Sequence, residues 1–196
     1  MATLAAVASR AQGRETRERL IQAATKSFIQ FGYEPTSLNA VAKAAGVTRQ
    51  ALLHYFPSKS ELLAAVLDQA ERDFREHGWE SETANVGFAE GLVAILERNR
   101  QEAGLSSLYA VAVVAGVHEG GALHDFVRER ERRVHRDMKA AVEHEQAAGR
   151  LRTDMDADTL ATALRAVFNG LVIHGLLEPD ANVSAPLADV LRALTP

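Results

Sequence analysis

Apolar positions recur every three to four residues along the chain and almost nowhere alternate, which predicts an all-α protein with no sheet. The first stripe, Leu20, Ile21, Ala24, Phe28 and Phe31, spans about Arg14 to Phe31 and stops at Gly32. Thr36 and Ser37, after Pro35, are placed to cap a short second helix carrying Leu38, Val41, Ala42 and Ala45 on one face and ended by Gly46. Thr48 caps a third, with Ala51, Leu52 and Tyr55 inward, and Pro57 stops it after little more than two turns. The S-x-x-E box from Ser58 to Glu61 opens a fourth, whose Leu62, Leu63, Val66, Leu67, Ala70 and Phe74 run on to Gly78.

The polar stretch Gly78 to Asn85 is the best break in composition. Beyond it the pattern predicts helices near Val86–Asn99, Leu105–Val117, Ala122–Ala148, Asp156–Leu177 and Ser184–Leu194. Met1 to Ala8 has no basic residue ahead of its short apolar part, so it reads as a frayed arm and not as a secretory signal. The expected organisation is a flexible arm at 1–13, a three-helix unit at 14–58 and a larger helical body at 59–196. No apolar run approaches the roughly 18 residues that cross a bilayer, so no membrane is expected. The sequence has no cysteine, which excludes disulfide frameworks, cysteine zinc sites and cysteine nucleophiles and leaves the cytoplasm as the default.

The net charge of −4 conceals an asymmetry. Residues 1–60 carry +5 and the remainder −9, a basic head on an acidic body, and a basic head suits a polyanion. Within that head, Leu38 to Tyr55 fit a helix, a one-glycine turn and a second helix into eighteen residues, the size of a helix-turn-helix. Ala42 is small where the helices cross, Gly46 suits a left-handed turn, and Val41, Ala45, Val47, Leu52 and Tyr55 form the seam. Thr48, Arg49, Gln50, Leu53 and His54 are left outward. In a major groove Arg can grip guanine, Gln can pair with adenine and Leu can touch a thymine methyl. Thr48 and Ser37 at helix N-termini, and Lys59 by its charge, can hold phosphates. The plainer alternative is a helical hairpin with a solvated polar face.

A more specific match comes from Phe28-Ile-Gln-Phe-Gly-Tyr33, Thr36-Ser37, Val41-Ala42, Ala45-Gly46-Val47-Thr48 and Leu52-Leu-His-Tyr-Phe-Pro-Ser-Lys59, with Glu61 and Leu62. Over about fifty residues, Arg14 to Leu67, these resemble the DNA-binding domain of the tetracycline-repressor-like (TetR) regulators. The resemblance implies an all-helical homodimer with two helix-turn-helix heads, a ligand-sensing and dimerising body, and repression relieved by a small molecule. It implies Thr36, Ser37, Thr48, His54, Tyr55 and Lys59 as phosphate or groove contacts and Arg49 and Gln50 as base readers. Leu53 departs from the tyrosine common in the family, and its apolar side chain turns readout toward thymine methyls.

In the body, Asp154, Asp158, Leu160-Ala161, Phe168, Gly170-Leu171 and Leu176-Leu177 are reminiscent of the family's penultimate helix. That likeness implies a four-helix bundle between subunits, with Leu160, Leu164, Val167, Leu171, Leu176, Leu187 and Leu191 at the seam; alternatively both stripes fill one subunit's core. Phe74, Phe88, Leu92, Tyr109, Val113, Phe126, Met138 and Phe168, with the polar Asn169 and His174, are candidate ligand contacts suited to an apolar or aromatic effector, each also open to a packing role.

The charge run Arg128 to Arg136 reads as a solvated helix face. Glu131 and His135 could meet His118 or His124, but no three-ligand spacing exists, so neither metal nor cofactor is expected. No Walker loop, Rossmann fingerprint or G-x-S-x-G occurs. The reading that results is a dimeric repressor of a palindromic operator, released by a small-molecule effector. The alternatives are a ligand-dependent activator, an all-helical enzyme using the body's histidines, and an interaction module.

Overall fold

The computed structural model describes residues 2–77, 86–117 and 120–196. Nine helices follow one another among the described residues: α1 (Ala2–Phe31), α2 (Leu38–Ala44), α3 (Arg49–Tyr55), α4 (Lys59–His77), α5 (Phe88–Gln101), α6 (Ala103–Gly116), α7 (Ala122–Ala147), α8 (Ala157–Leu177) and α9 (Ser184–Ala193). The break expected at Gly78 to Asn85, and His118, lie outside the described residues. The expected arm at 1–13 is instead drawn into α1, which runs for 30 residues. Alanine is the strongest helix former, and Gly13 is the only interruption in an Ala-rich stretch without proline. At its far end α1 stops where expected: Gly32 turns left-handed at φ 85 and donates its N–H to the Phe28 carbonyl at 3.0 Å.

Two apolar cores organise these helices. The first joins Leu20, Ala24 and Phe28 of α1 and Val41 and Leu52 of α2 and α3 to Leu62, Leu63, Val66 and Leu67 of α4, and continues into Leu108, Ala112 and Leu123 of α6 and α7. The second gathers Leu92 and Leu96 of α5, Val142 of α7, Leu160 and Leu164 of α8, and Leu187 and Leu191 of α9. The first half of α4 thus packs as part of the head, although the sequence boundary falls in front of it.

This burial corrects part of the expected subunit seam. Leu160, Leu164, Leu187 and Leu191 are at most 2% exposed within a single subunit, so they are core and cannot reach a partner. Val167 and Leu171 pack half-buried against the same core. A second correction concerns the apolar runs: α8, at 21 residues and mean hydropathy 1.5 over its best window, is long and apolar enough to cross a membrane by length and composition. Only 17% of that window is buried, and Ile173 and Leu177 stand open. Its Leu160, Ala161 and Leu164 nevertheless fill the second core.

A polar cluster ties α4 to the body. Tyr109 on α6 donates its hydroxyl proton to the Leu67 carbonyl or Glu71 Oε1, each at 3.1 Å. Arg130 on α7 reaches Glu71 Oε1 at 2.8 Å, lies over the Tyr109 ring at 4.6 Å, and is joined by Arg133 on the other carboxylate oxygen. The expected solvated face is therefore only partly solvated, because two of its arginines turn inward. Burial pushes the Glu71 carboxyl up, but Arg130 and Arg133 outweigh it and hold it below the usual glutamate range. Burial and the Glu71 charge push the Tyr109 phenol up, so it stays neutral.

Because the folded pKa of Glu71 is depressed, its stabilisation is complete above the ordinary glutamate pKa and is lost as pH falls through the folded value. Glu71→Gln leaves two partly buried guanidiniums without their anion and is expected to cost about 2 kcal/mol in urea unfolding at pH 7. The gap to wild type is expected to narrow as the pH drops below that of an ordinary glutamate. A gap independent of pH would mean that shape, not charge, holds this joint.

Candidate nucleic-acid interface

The two short helices of the head are defined by local chemistry at each end. Ser37 Oγ accepts the Ala40 N–H and Thr48 Oγ1 the Ala51 N–H, both at 3.1 Å, so each helix begins on a hydroxyl cap. Between them Gly46 adopts φ 68, while its N–H donates to the Lys43 carbonyl at 3.1 Å and the Val47 N–H to the Ala42 carbonyl at 3.0 Å. A Cβ at Gly46 would meet nothing within 4 Å, so its left-handed backbone alone calls for glycine. Phe56 leaves helical geometry at φ −138 and ψ 93, as a residue before proline must. Val41, Ala42 and Leu52 close the seam at 0–2% exposure.

The exposed side of α3's first turn carries Thr48, Arg49 and Gln50, with His54 one turn on. Both capping hydroxyls accept their helix N–H groups and keep a proton to donate outward. Leu53 and Tyr55 are half-buried against the first core, and the Tyr55 hydroxyl lies 3.7 Å from where a Cβ on Gly13 would stand. Leu53 is therefore as much a packing residue as an outward one.

Lys59 is held by the α1–α2 loop: its Nζ donates to the Glu34 carbonyl at 2.9 Å and sits 4.3 Å from the centre of the Tyr33 ring. Thr36 is a correction. It is 4% exposed, and its hydroxyl serves the Gly32 carbonyl at 2.7 Å and the Ser27 carbonyl at 3.2 Å, which pins the loop to α1 and removes it from any surface contact.

Charge separates this face from the rest. Among the described residues the ion pairs all involve residues from Asp68 onward, whereas Arg14, Arg19, Lys26, Lys43 and Arg49 make none. Arg17 is held over the Phe56 ring at 5.2 Å. Sequence reasoning did not single out Arg17 or Lys43; only the charge count pointed at them. Unpaired cations and hydroxyl-capped helix ends give the head groups that can hold phosphate oxygens, and Arg49 and Gln50 stand exposed at the start of α3.

The candidate ligand contacts do not converge. Tyr109 and Phe126 stack at 6.3 Å beside the first core, while Phe88, Leu92, Met138 and Phe168 belong to the second. Phe74 lies 4.7 Å beneath Arg98, and Val113, Asn169 and His174 are exposed. Tyr109 and Phe126 pack against the first core and Phe88 and Phe168 against the second, so the candidate aromatic side chains line no common space. A groove of about 490 Å³ between α6 and α7 includes Val113 alone of the ten. His124 Nδ1 meets the Gly116 carbonyl at 2.9 Å, and His135 Nε2 meets Asp158 at the same distance.

Two family models match: bacterial regulatory proteins of the tetR family over residues 20–66, and the C-terminal domain of BetI-type transcriptional repressors over residues 88–195. The HTH-type transcriptional regulator SrpR of Pseudomonas putida is 27% identical over 175 residues, 87% of this chain and 79% of that protein. The HTH-type transcriptional regulator TtgR, also of Pseudomonas putida, is 28% identical over 177 residues, 87% and 84% of the two chains. A transcriptional regulator of Saccharomonospora viridis, solved in complex with choline, superposes with a TM-score of 0.72 at 22% identity, covering 92% of this chain and 95% of that one.

Thr36→Val is expected to cost about 1 kcal/mol in urea unfolding, since the buried hydroxyl's hydrogen bond to the Gly32 carbonyl, shared with Ser27, is lost. Ser37→Ala is expected to cost about 1 kcal/mol through the lost cap. If Thr36→Val unfolded at the wild-type midpoint, the loop would not depend on this hydroxyl.

Proposed function

The chain belongs to the TetR family of DNA-binding transcriptional regulators, and from that premise we propose that it is a repressor that binds a palindromic operator as a homodimer and is released by a small-molecule effector. The observation that carries this reading is the first turn of α3, where Arg49 and Gln50 stand exposed and without ion pairs between hydroxyl-capped helix ends. Arg49 grips guanine and Gln50 pairs with adenine, while Ser37, Thr48, His54 and Lys59 hold the flanking phosphates and fix the register. Two such heads, one per subunit, enter successive major grooves, so the operator repeats its half-site in inverted order.

The open apolar face of α8 supports the homodimer. Ile173 and Leu177 sit on a helix that a lone subunit leaves mostly uncovered, and the half-buried Val167, Leu171 and Leu176 border the same region. The C-terminal match to a repressor model supports repression. The choline held by the Saccharomonospora viridis neighbour supports a small-molecule effector, since the two bodies share a fold. Because α4 packs into the head's core and is bound to α6 and α7 through Glu71, a shift in the body changes the angle of the head and hence the spacing of the two recognition helices.

Selection from a random duplex library at fixed salt is expected to enrich a palindrome, and Arg49→Ala is expected to lose about 1–3 kcal/mol and relax one position per half-site. Enrichment of no sequence by a folded dimer would overturn the reading. For the interface, Ile173→Glu combined with Leu177→Glu is expected to halve the mass seen by light scattering. An unchanged dimer would place the seam elsewhere.

A further inference from the structure

The groove between α6 and α7 is built unlike either core. Val113, Val117 and Val127 supply an apolar wall, and of the large apolar side chains left exposed among the described residues, Val113, Val114 and Val117 fall within five positions at the end of α6. These valines lie beside polar groups at the groove's rim, so a ligand with both a hydrocarbon part and a charged end would find both kinds of contact here. Gly116 lets the helices close up here: a Cβ would stand 3.1 Å from both the Leu123 carbonyl and the Val127 side chain. The groove's volume of about 490 Å³ suits a small organic molecule.

Its rim is cationic. Arg128 and Arg132, one turn apart on α7, both line it. Arg128 makes no ion pair among the described residues, and Arg132 has only Glu129 at 3.7 Å, with both side chains at least 59% exposed, a contact worth little. The one acid in the lining, Glu131, is already held by Arg165 and Arg130, and His135 is engaged by Asp158. Among the described residues Arg128 thus has no carboxylate and Arg132 only a distant, exposed one, beside a wall that calls for hydrocarbon.

We infer that this groove binds a single-chain amphipathic carboxylate, its hydrocarbon along Val113, Val117 and Val127 and its carboxylate on Arg128 and Arg132. His124 and His135 stand eleven positions apart on α7, about 16 Å of helix, so an extended chain has room to lie along it. A second copy of this chain is a poorer occupant, because a twofold contact through the groove would bring its arginines against their own copies. The inference deepens the effector-released reading by naming the ligand class, and rests on it only for what binding does at the operator. It also differs from an apolar or aromatic effector, because the charge lies where the open space is.

Calorimetry of the full-length protein with sodium decanoate, without DNA, tests it. One saturable site per subunit is expected, with affinity about tenfold lower in the Arg128→Ala/Arg132→Ala double variant and unchanged in Arg136→Ala, an exposed arginine of the same helix outside the groove. Decyltrimethylammonium, with the same tail and the opposite charge, is expected not to saturate. Equal binding of the cation, full affinity in the double variant, or no saturable heat with decanoate would each overturn the assignment. Duplex selection on the same preparation separates the two readings. Decanoate binding by a protein that selects no operator would sink the repressor reading alone, and an operator-selecting protein indifferent to decanoate would sink this site alone.

Discussion

A carboxylate buried between two guanidiniums and a phenol cannot be moved far without stranding charge in a poor solvent, and Glu71 is in that position. Its helix, α4, also supplies Leu62, Leu63, Val66 and Leu67 to the core of the head. One end of a single rigid element is thus fused to the head by packing, and the other is fastened to α6 and α7 by charge. Packed cores do not deform continuously, so such an element changes its seat in discrete steps. The orientation of the head is then a property of how the body holds Glu71.

The head itself is built to be stiff. Its helix ends are fixed by hydroxyl caps and by the positive φ of Gly32 and Gly46, its loop by the buried Thr36 hydroxyl, and Lys59 by the Glu34 carbonyl. Against this scaffold the side chains proposed to read DNA, Arg49 and Gln50, make no ion pair or hydrogen bond among the described residues. In the body most arginines have a carboxylate partner, as Arg130, Arg150 and Arg165 do, whereas Arg49 and Lys43 have none. A structural cation is neutralised by the fold, and a cation without an internal anion is available to an external one. That contrast separates recognition from scaffolding more sharply than exposure does.

What the sequence disclosed and what it hid follow from the range of the interactions involved. Ser37, Gly46, Thr48 and Pro57 act on neighbours a few residues away, so the helix-turn-helix and its outward side chains were legible residue by residue. Periodicity reveals that a face is buried but not what covers it. Leu160, Leu164, Leu187 and Leu191 read equally as subunit seam or subunit core, and only packing against α5 and α7 decides for the core. Arg130 and Arg133 looked like a solvated run because their anion, Glu71, is some sixty positions away. Thr36 read as a surface hydroxyl for a different reason: a hydroxyl between two helices can cap the next one or bond back to the carbonyls of the preceding one, and it takes the second course. The aromatic side chains gave hydrophobicity without geometry, and geometry sent them to separate places.

The groove and the head are joined by consecutive contacts. Glu131 lines the groove and faces Arg130 at 3.6 Å; Arg130 holds Glu71 at 2.8 Å; and Glu71 lies on the helix that carries the head's core residues. Glu131 also holds Arg165 on α8, the helix with the open apolar face. The longest of these contacts, between Arg130 and Glu131, is the one most easily redrawn when charge changes beside it. Allosteric coupling needs only about 1–3 kcal/mol between two sites, which is within what one partly buried charge pair supplies when its partner is shared or withdrawn. A negative group seated against Arg128 and Arg132 would lie beside Glu131 and alter how that carboxylate divides between Arg130 and Arg165. The same local change would bear on the joint at α4 and on α8, whose open apolar face the proposed homodimer would cover.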